Sequence, residues 1–237
     1  MVIYPIGVSD AISCAVKQLQ DKGYPLIDHP APEVTHLLLD VPSKWEAAAQ
    51  VLPMLPAGVT VIGGNLNNPV FDGYRKMDLL KDPNYLAKNA AITADCAIRL
   101  AGMQIQETYQ DCSCLIIGWG RISQCLAKLL AGLGCKITIA ARKEGDRAMA
   151  AALGFRAVDI PGIPWILSET RLVFNTVPER ILDTEPPKSC ITLDLASRDG
   201  MPGEAVIRAR GLPGKYAPIS SGKLIAQTIH YLSKEDA

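Results

Sequence analysis

A chain of 237 residues has the length for one large domain or two small ones, and enough of it to bury an apolar core. Lys and Arg together number 24, as do Asp and Glu, so the formal net charge is zero and the basic excess of a nucleic-acid or anionic-membrane binder is absent. With 49% hydrophobic and 20% charged residues the chain is too apolar to be disordered, and no run approaches the roughly 18 apolar residues that a membrane span needs.

The N-terminus, MVIYPIGVSD, has neither the basic start nor the long apolar run of a signal peptide, so a cytoplasmic protein is expected. The seven cysteines form an odd set, mostly inside apolar runs, which fits buried thiols in a reducing compartment better than disulfides. Cys112-Ser-Cys114 is a close pair, but it lacks a second pair or a nearby histidine, so no metal site is assigned.

Taken in order, apolar runs alternate with helical patterns, which predicts parallel sheets with crossover helices. Val2-Ile3-Tyr4 reads as a strand, Ser9 as the cap of a helix through Gln20, and Leu37-Leu38-Leu39 and residues 59–62 as further strands. Between Asn65 and Lys88 the composition shifts to Asn, Asp, Pro and Tyr, which predicts a boundary region lining a cleft. Thr93 precedes the apolar-periodic Ala97, Ile98 and Ala101, so the spacing predicts a helix capped by Thr93 with Asp95 in its first turn. A second series follows: strand 115–117, helix 122–133, strand 136–140, helix 144–153, then strands at 172–175, 191–195 and 206–209, and a last helix over about 221–232. The expected fold class is α/β: a Rossmann doubly wound parallel sheet (91–219) with a smaller N-terminal α/β domain (1–90) onto which the C-terminal helix (220–237) packs, in a formate/glycerate dehydrogenase-like arrangement.

The sharpest motif is Gly118-Trp119-Gly120-Arg121-Ile122-Ser123, directly after an apolar strand and opening a helix. The first glycine permits a tight turn and the second lets a pyrophosphate reach backbone N–H groups at a helix N-terminus. At the end of the next strand, Ala141-Arg142-Lys143 offers two cations where an NAD enzyme carries an acid, so NADP is favoured, with NAD left open. Asn175-Thr176-Val177-Pro178 and Ala196-Ser197 end two later strands and are expected over the ribose and nicotinamide. No histidine lies between His36 and His230, which removes the histidine general base of many hydroxy-acid dehydrogenases.

In order and spacing, Asn89-Ala90-Ala91-Ile92-Thr93-Ala94-Asp95, the glycine motif, Val173 to Pro178, Asp194-Leu195-Ala196-Ser197-Arg198, Gly211 to Pro218 and Gly222 together resemble the A subunit family of dipicolinate synthase over about residues 85–230. The resemblance implies an NADP-dependent oxidation of a cyclic dihydrodipicolinate-type precursor to pyridine-2,6-dicarboxylate during sporulation, beside a separate flavoprotein-like B subunit. This chain departs from the family pattern at Asp95 and Cys96, where the family carries Glu and Gly, and in the loop 197–204 and a trimmed N-terminal domain, which affect the substrate more than the cofactor. Asn89, Thr93, Asp95 and Lys215 are the catalytic candidates: Asn89 and Thr93 to orient the small dicarboxylate from a helix start, and Asp95 to accept a proton. Lys88, Ser220 and Ser221 are further candidates for the carboxylates. Two alternatives are an NADP dehydrogenase of another small acid and a non-catalytic NADP-binding sensor or partner protein. A homodimer is expected because closed dimers are the commonest soluble assembly.

Overall fold

A computed structural model describes residues 1–235, and the chain divides into two compact units: Met1–Asn89 with the C-terminal segment from Pro213, and Ala90–Leu212. The first unit runs β1 (Ile3–Pro5), α1 (Asp10–Asp21), β2 (His36–Leu38), α2 (Trp45–Val51), β3 (Thr60–Gly63) and β4 (Arg75–Asp78). Helix α3 (Pro83–Gly102) leads into the second unit. There follow β5 (Ser113–Ile117), α4 (Arg121–Gly132), β6 (Lys136–Ala140), α5 (Glu144–Ala152), β7 (Arg156–Val158), α6 (Ile163–Leu167), β8 (Leu172–Asn175), β9 (Ile191–Asp194) and β10 (Ile207–Arg208). Helices α7 (Leu212–Tyr216) and α8 (Pro218–Glu235) end the described chain. None of these helices is long and apolar enough to cross a membrane.

The first unit holds a four-stranded parallel sheet in the order β1-β2-β3-β4, with Leu26 bridging to Ile3 on the outer side of β1. Adjacent residues such as Leu37 and Leu38, or Val61 and Ile62, are fully buried, so both faces of the sheet are covered at its central strands β2 and β3. The Oγ of Ser9 accepts the N–H of Ile12, fixing the start of α1, whose Ala11, Ile12, Ala15 and Leu19 form its buried face. That face packs on α8, where Gly222 has no room for a side chain: a Cβ would lie 2.5 Å from the Ala11 carbonyl oxygen and 2.9 Å from the Ala15 nitrogen. Gly222→Ala is therefore expected to cost about 1–3 kcal/mol by overpacking, against a helix-propensity gain of up to about 1 kcal/mol. A urea midpoint unchanged by the substitution would show that α1 and α8 tolerate separation.

Also on α8, Nδ1 of His230 lies 2.7 Å from the hydroxyl of Tyr24, which in turn lies 2.9 Å from the Ser233 Oγ. Desolvation, then the charges of Lys234 and Lys22, push the His230 pKa below its ordinary 6.5. In the window between the lowered folded value and 6.5 the unfolded chain binds more protons, so stability rises with pH there and is lost on acidification. Denaturation midpoints that fall from pH 7.5 to pH 5.5 in the parent but less in His230→Gln are expected; equal slopes in the two would remove His230 as the cause.

The second unit is a six-stranded parallel sheet in the order β10-β9-β8-β5-β6-β7, the strand order of a dinucleotide-binding doubly wound fold. Buried Leu115, Ile117, Ala140 and Val173 line one face, with Ile163 and Leu167 of α6 packed among them.

The structure corrects the sequence-based expectation between residues 65 and 102. The polar stretch contains strand β4, and α3 starts at Pro83, ten residues before Thr93. The carboxylate of Asp82 accepts the N–H of Tyr85 at 2.6 Å and Pro83 needs no donor in the first turn, so Asp82-Pro83 is the helix start that the composition disguised as a loop. Thr93 is not a cap but a mid-helix residue, 8% exposed.

Candidate dinucleotide site

Strand β5 ends at Ile117 with every residue from Cys114 buried, and the chain turns at Gly118, whose φ of 100° is open to glycine and costly for other residues. A Cβ there would also lie 2.5 Å from Thr176 Oγ1. Two residues on, Gly120 caps α4 with an ordinary φ of −83°, and nothing lies within 4 Å of where its Cβ would be. Neither backbone strain nor protein packing requires glycine at 120; what its absent side chain leaves is open space in front of the α4 N-terminus, where N–H groups and the positive dipole end face outward. A pyrophosphate fits that cradle. Trp119 is partly buried against Phe155, and Arg121 is exposed at the first turn. Ile122 is partly buried.

Ser123, in the third position of the motif, does more than stay small. It is fully buried, its Oγ lies 2.8 Å from Thr176 Oγ1, and Thr176 Oγ1 donates to the Ile117 carbonyl at 2.9 Å. The chain Ser123 to Thr176 to Ile117 ties the start of α4, the loop after β8 and the end of β5 together. The Thr176 hydroxyl is thus committed to the scaffold, as is its N–H, which donates to the Ile117 carbonyl at 3.0 Å, leaving its methyl and carbonyl as what it can present to a ligand.

At the end of β6, Ala141 is buried while Arg142 and Lys143 are exposed. Their backbone is held by Arg147, whose guanidinium donates to the carbonyls of Ala141 at 2.9 Å and Arg142 at 2.7 Å. Nη1 of Arg142 lies 3.6 Å from Oε2 of Glu179, in the loop after β8.

Beyond β8 and β9 the loops are joined through a buried carboxylate. Asp194 is fully buried; its Oδ1 accepts from Asn175 Nδ2 at 2.9 Å and from the Ala196 N–H at 3.2 Å, and its Oδ2 accepts the Gly200 N–H at 2.9 Å. Arg210 pairs with Asp194 at 3.5 Å and with Asp199 at 2.9 Å, and also donates to the Asp194 carbonyl. Asn175 further donates to the Val177 carbonyl and accepts the Val177 N–H, so its amide is spent inside the protein. This overturns Asn175 as a side-chain contact to cofactor, because a residue with no exposed surface and all polar atoms engaged holds loops, not ligands. Ala196 is buried likewise, whereas Pro178 and Ser197 are exposed and Val177 is partly so.

Three of the catalytic candidates lie on α3. Asn89 and Thr93 share one face of α3, four residues apart, but neither stands at the helix start. Asp95 lies about 200° round the helix from Thr93. It forms an ion pair with Arg99 at 2.6 Å, one turn on. A carboxylate on the opposite face cannot take a proton from a group that Asn89 and Thr93 hold, which removes Asp95 from that role. Lys215 is exposed on α7, Lys88 and Ser220 are exposed on α3 and α8, and Ser221 is buried. Among the described residues no cluster of histidine, cysteine and acidic side chains could hold a metal. The residues that sequence reasoning missed, Arg147, Glu179 and Arg210, and the bond of Ser123 to Thr176, act across tertiary contacts for which a linear motif carries no signal.

No family model matches the chain. The A subunit of dipicolinate synthase from Bacillus subtilis (strain 168) is 27% identical over 202 residues, covering 78% of this chain and 68% of that protein. The solved structure of the dipicolinate synthase A subunit from Bacillus halodurans superposes with a TM-score of 0.85 at 20% identity, covering 98% of this chain and 97% of that one. The solved structure of the Bacillus subtilis protein gives 0.79 at 19%, over 99% and 96%. A transhydrogenase from Sinorhizobium meliloti gives 0.70 at 12%, over 98% and 92%, so the two-unit α/β architecture extends to more distant proteins. In sequence over most of its length, and in fold over nearly all of it, the chain is similar to the A subunit of dipicolinate synthase.

Proposed function

We propose that the protein is an NADP-dependent oxidoreductase of the dipicolinate synthase A type, converting a cyclic dihydrodipicolinate-type precursor to pyridine-2,6-dicarboxylate. The observation that carries the reading is the 27% identity to the Bacillus subtilis A subunit, together with the glycine loop that the structure presents as an open cradle. NADP, when bound, would supply the hydride acceptor, and the glycine loop after β5 would hold its pyrophosphate. Aromatisation removes two hydrogens from the ring, one as hydride and one as a proton to water, so the protein's work is positioning more than base strength, and a chain with no histidine from 37 to 229 is suited to it. The loops at Val177 and Ala196, whose conformation Asn175 and Asp194 hold, would border the nicotinamide of a bound dinucleotide. Asn89 and Thr93, on one face of α3, are the residues for the substrate's polar atoms. A separate B subunit belongs to the same reading.

Incubation of the protein with freshly prepared dihydrodipicolinate and NADP should give pyridine-dicarboxylate absorbance with matching NADPH formation. Dinucleotide binding with turnover of a different small acid would replace the substrate, and binding with no turnover of any acid would favour a sensor or partner protein.

A further inference from the structure

The second strand of a dinucleotide-binding sheet ends where the ribose 2′ substituent docks, and a carboxylate there selects the 2′-hydroxyl of NAD. Here β6 ends in Ala140-Ala141-Arg142-Lys143, which has no acid. Folding brings one in from 37 residues downstream: Glu179, whose Oε2 is 3.6 Å from Arg142 Nη1. Both side chains are largely solvent-exposed, 78% and 68%, so the pair contributes under about 1 kcal/mol to stability and is not a fold-holding contact. The backbone at Arg142, by contrast, is held, and that of Glu179 packs against the loop at Gly200. Arg147 clamps the carbonyls of Ala141 and Arg142, and the Glu179 carbonyl lies so close to Gly200 that a Cβ there would be 2.9 Å from it. Gly200 in turn donates to Asp194 and accepts from the Ile181 N–H at 3.2 Å. Two charged tips therefore face each other at the end of β6, where a dinucleotide-binding sheet places the 2′ substituent.

Resting on the dinucleotide reading above, we propose that Glu179 is a specificity-determining residue of this site. Its carboxylate competes with a 2′-phosphate for Arg142 and accepts a hydrogen bond from a 2′-hydroxyl, so it draws the protein from strong NADP preference toward use of both cofactors. The phosphate brings nearly two negative charges beside the one that Glu179 already places there, whereas the hydroxyl brings none.

Fluorescence titration of the full chain with NADPH and with NADH, at 50 and 500 mM salt, tests this. Glu179→Gln should tighten NADPH about 3- to 10-fold at low salt, with the gain shrinking at high salt as the exposed charges are screened. The same variant should bind NADH no better than the parent, and Glu179→Lys should enlarge the shift in the NADPH direction. Arg142→Ala should move the ratio the other way. An NADPH to NADH affinity ratio unchanged in both Glu179 variants overturns the proposal while leaving dinucleotide binding intact. A folded parent that binds neither dinucleotide overturns the reading beneath it instead.

Discussion

Asp194→Ala is expected to lower the stability of the protein by about 3–5 kcal/mol, the range for breaking a buried, hydrogen-bonded charge pair. The carboxylate has no exposed surface and is the acceptor for the Asn175 amide and for the N–H groups of Ala196 and Gly200, besides pairing with Arg210. Truncation leaves two buried backbone donors without an acceptor, each costing about 1–3 kcal/mol. Arg210 keeps Asp199 as a partner, so the loss falls chiefly on the donors. Asp194→Asn keeps the shape but turns one acceptor into a donor facing another donor, and should fall between parent and alanine. Urea midpoints at constant m value give the energies. The same variants should weaken dinucleotide binding beyond what partial unfolding explains, because the loops at Val177 and Ala196 lose their common anchor. A cost under about 1 kcal/mol for Asp194→Ala would mean that the backbone, not this carboxylate, holds those loops.

Burial decided how much of this was legible in the sequence. The strands β5, β6, β8 and β9 are central, buried over most of their length and mostly apolar, so their runs stand out and their bounds fall within about two residues of expectation. Two of the four margin strands carry no such signal: β4 reads Arg-Lys-Met-Asp with only Met77 buried, and β7 has only three residues, none of them buried. The start of α3 was hidden because Asp-Pro serves equally in turns and at helix starts, and Thr93 imitated a cap without serving as one. In the site, the glycine loop is legible because its chemistry lies in consecutive residues. The Ser123 to Thr176 contact spans 53 residues, and the Asn175 to Asp194 bond spans 19, so each needs the folded sheet to exist at all. The missing acid at the end of β6 is the sharpest case, since the motif rule looks only along the chain and Glu179 arrives from across the sheet.

Gly120→Val should abolish detectable dinucleotide binding, with affinity falling at least about 100-fold, or roughly 2.8 kcal/mol at 1.4 kcal/mol per tenfold. The prediction rests on what glycine does not do at this position. Its φ of −83° is available to any residue, and no protein atom lies within 4 Å of a Cβ built there. Fold stability should therefore change by no more than about 1 kcal/mol, the scale of an altered N-cap. The new methyls would instead fill the space through which a pyrophosphate reaches the α4 N-terminus, separating it from the N–H groups by more than a hydrogen bond can span. Gly118→Ala provides the contrast: its positive φ and the 2.5 Å approach to Thr176 Oγ1 should lower stability by about 1–3 kcal/mol before any ligand is added. Thermal denaturation and NADPH titration on the two variants then separate a glycine kept for the fold from a glycine kept for a ligand. A Gly120→Val protein that is folded and still binds NADPH with parental affinity would show that the open cradle is not where the dinucleotide lies.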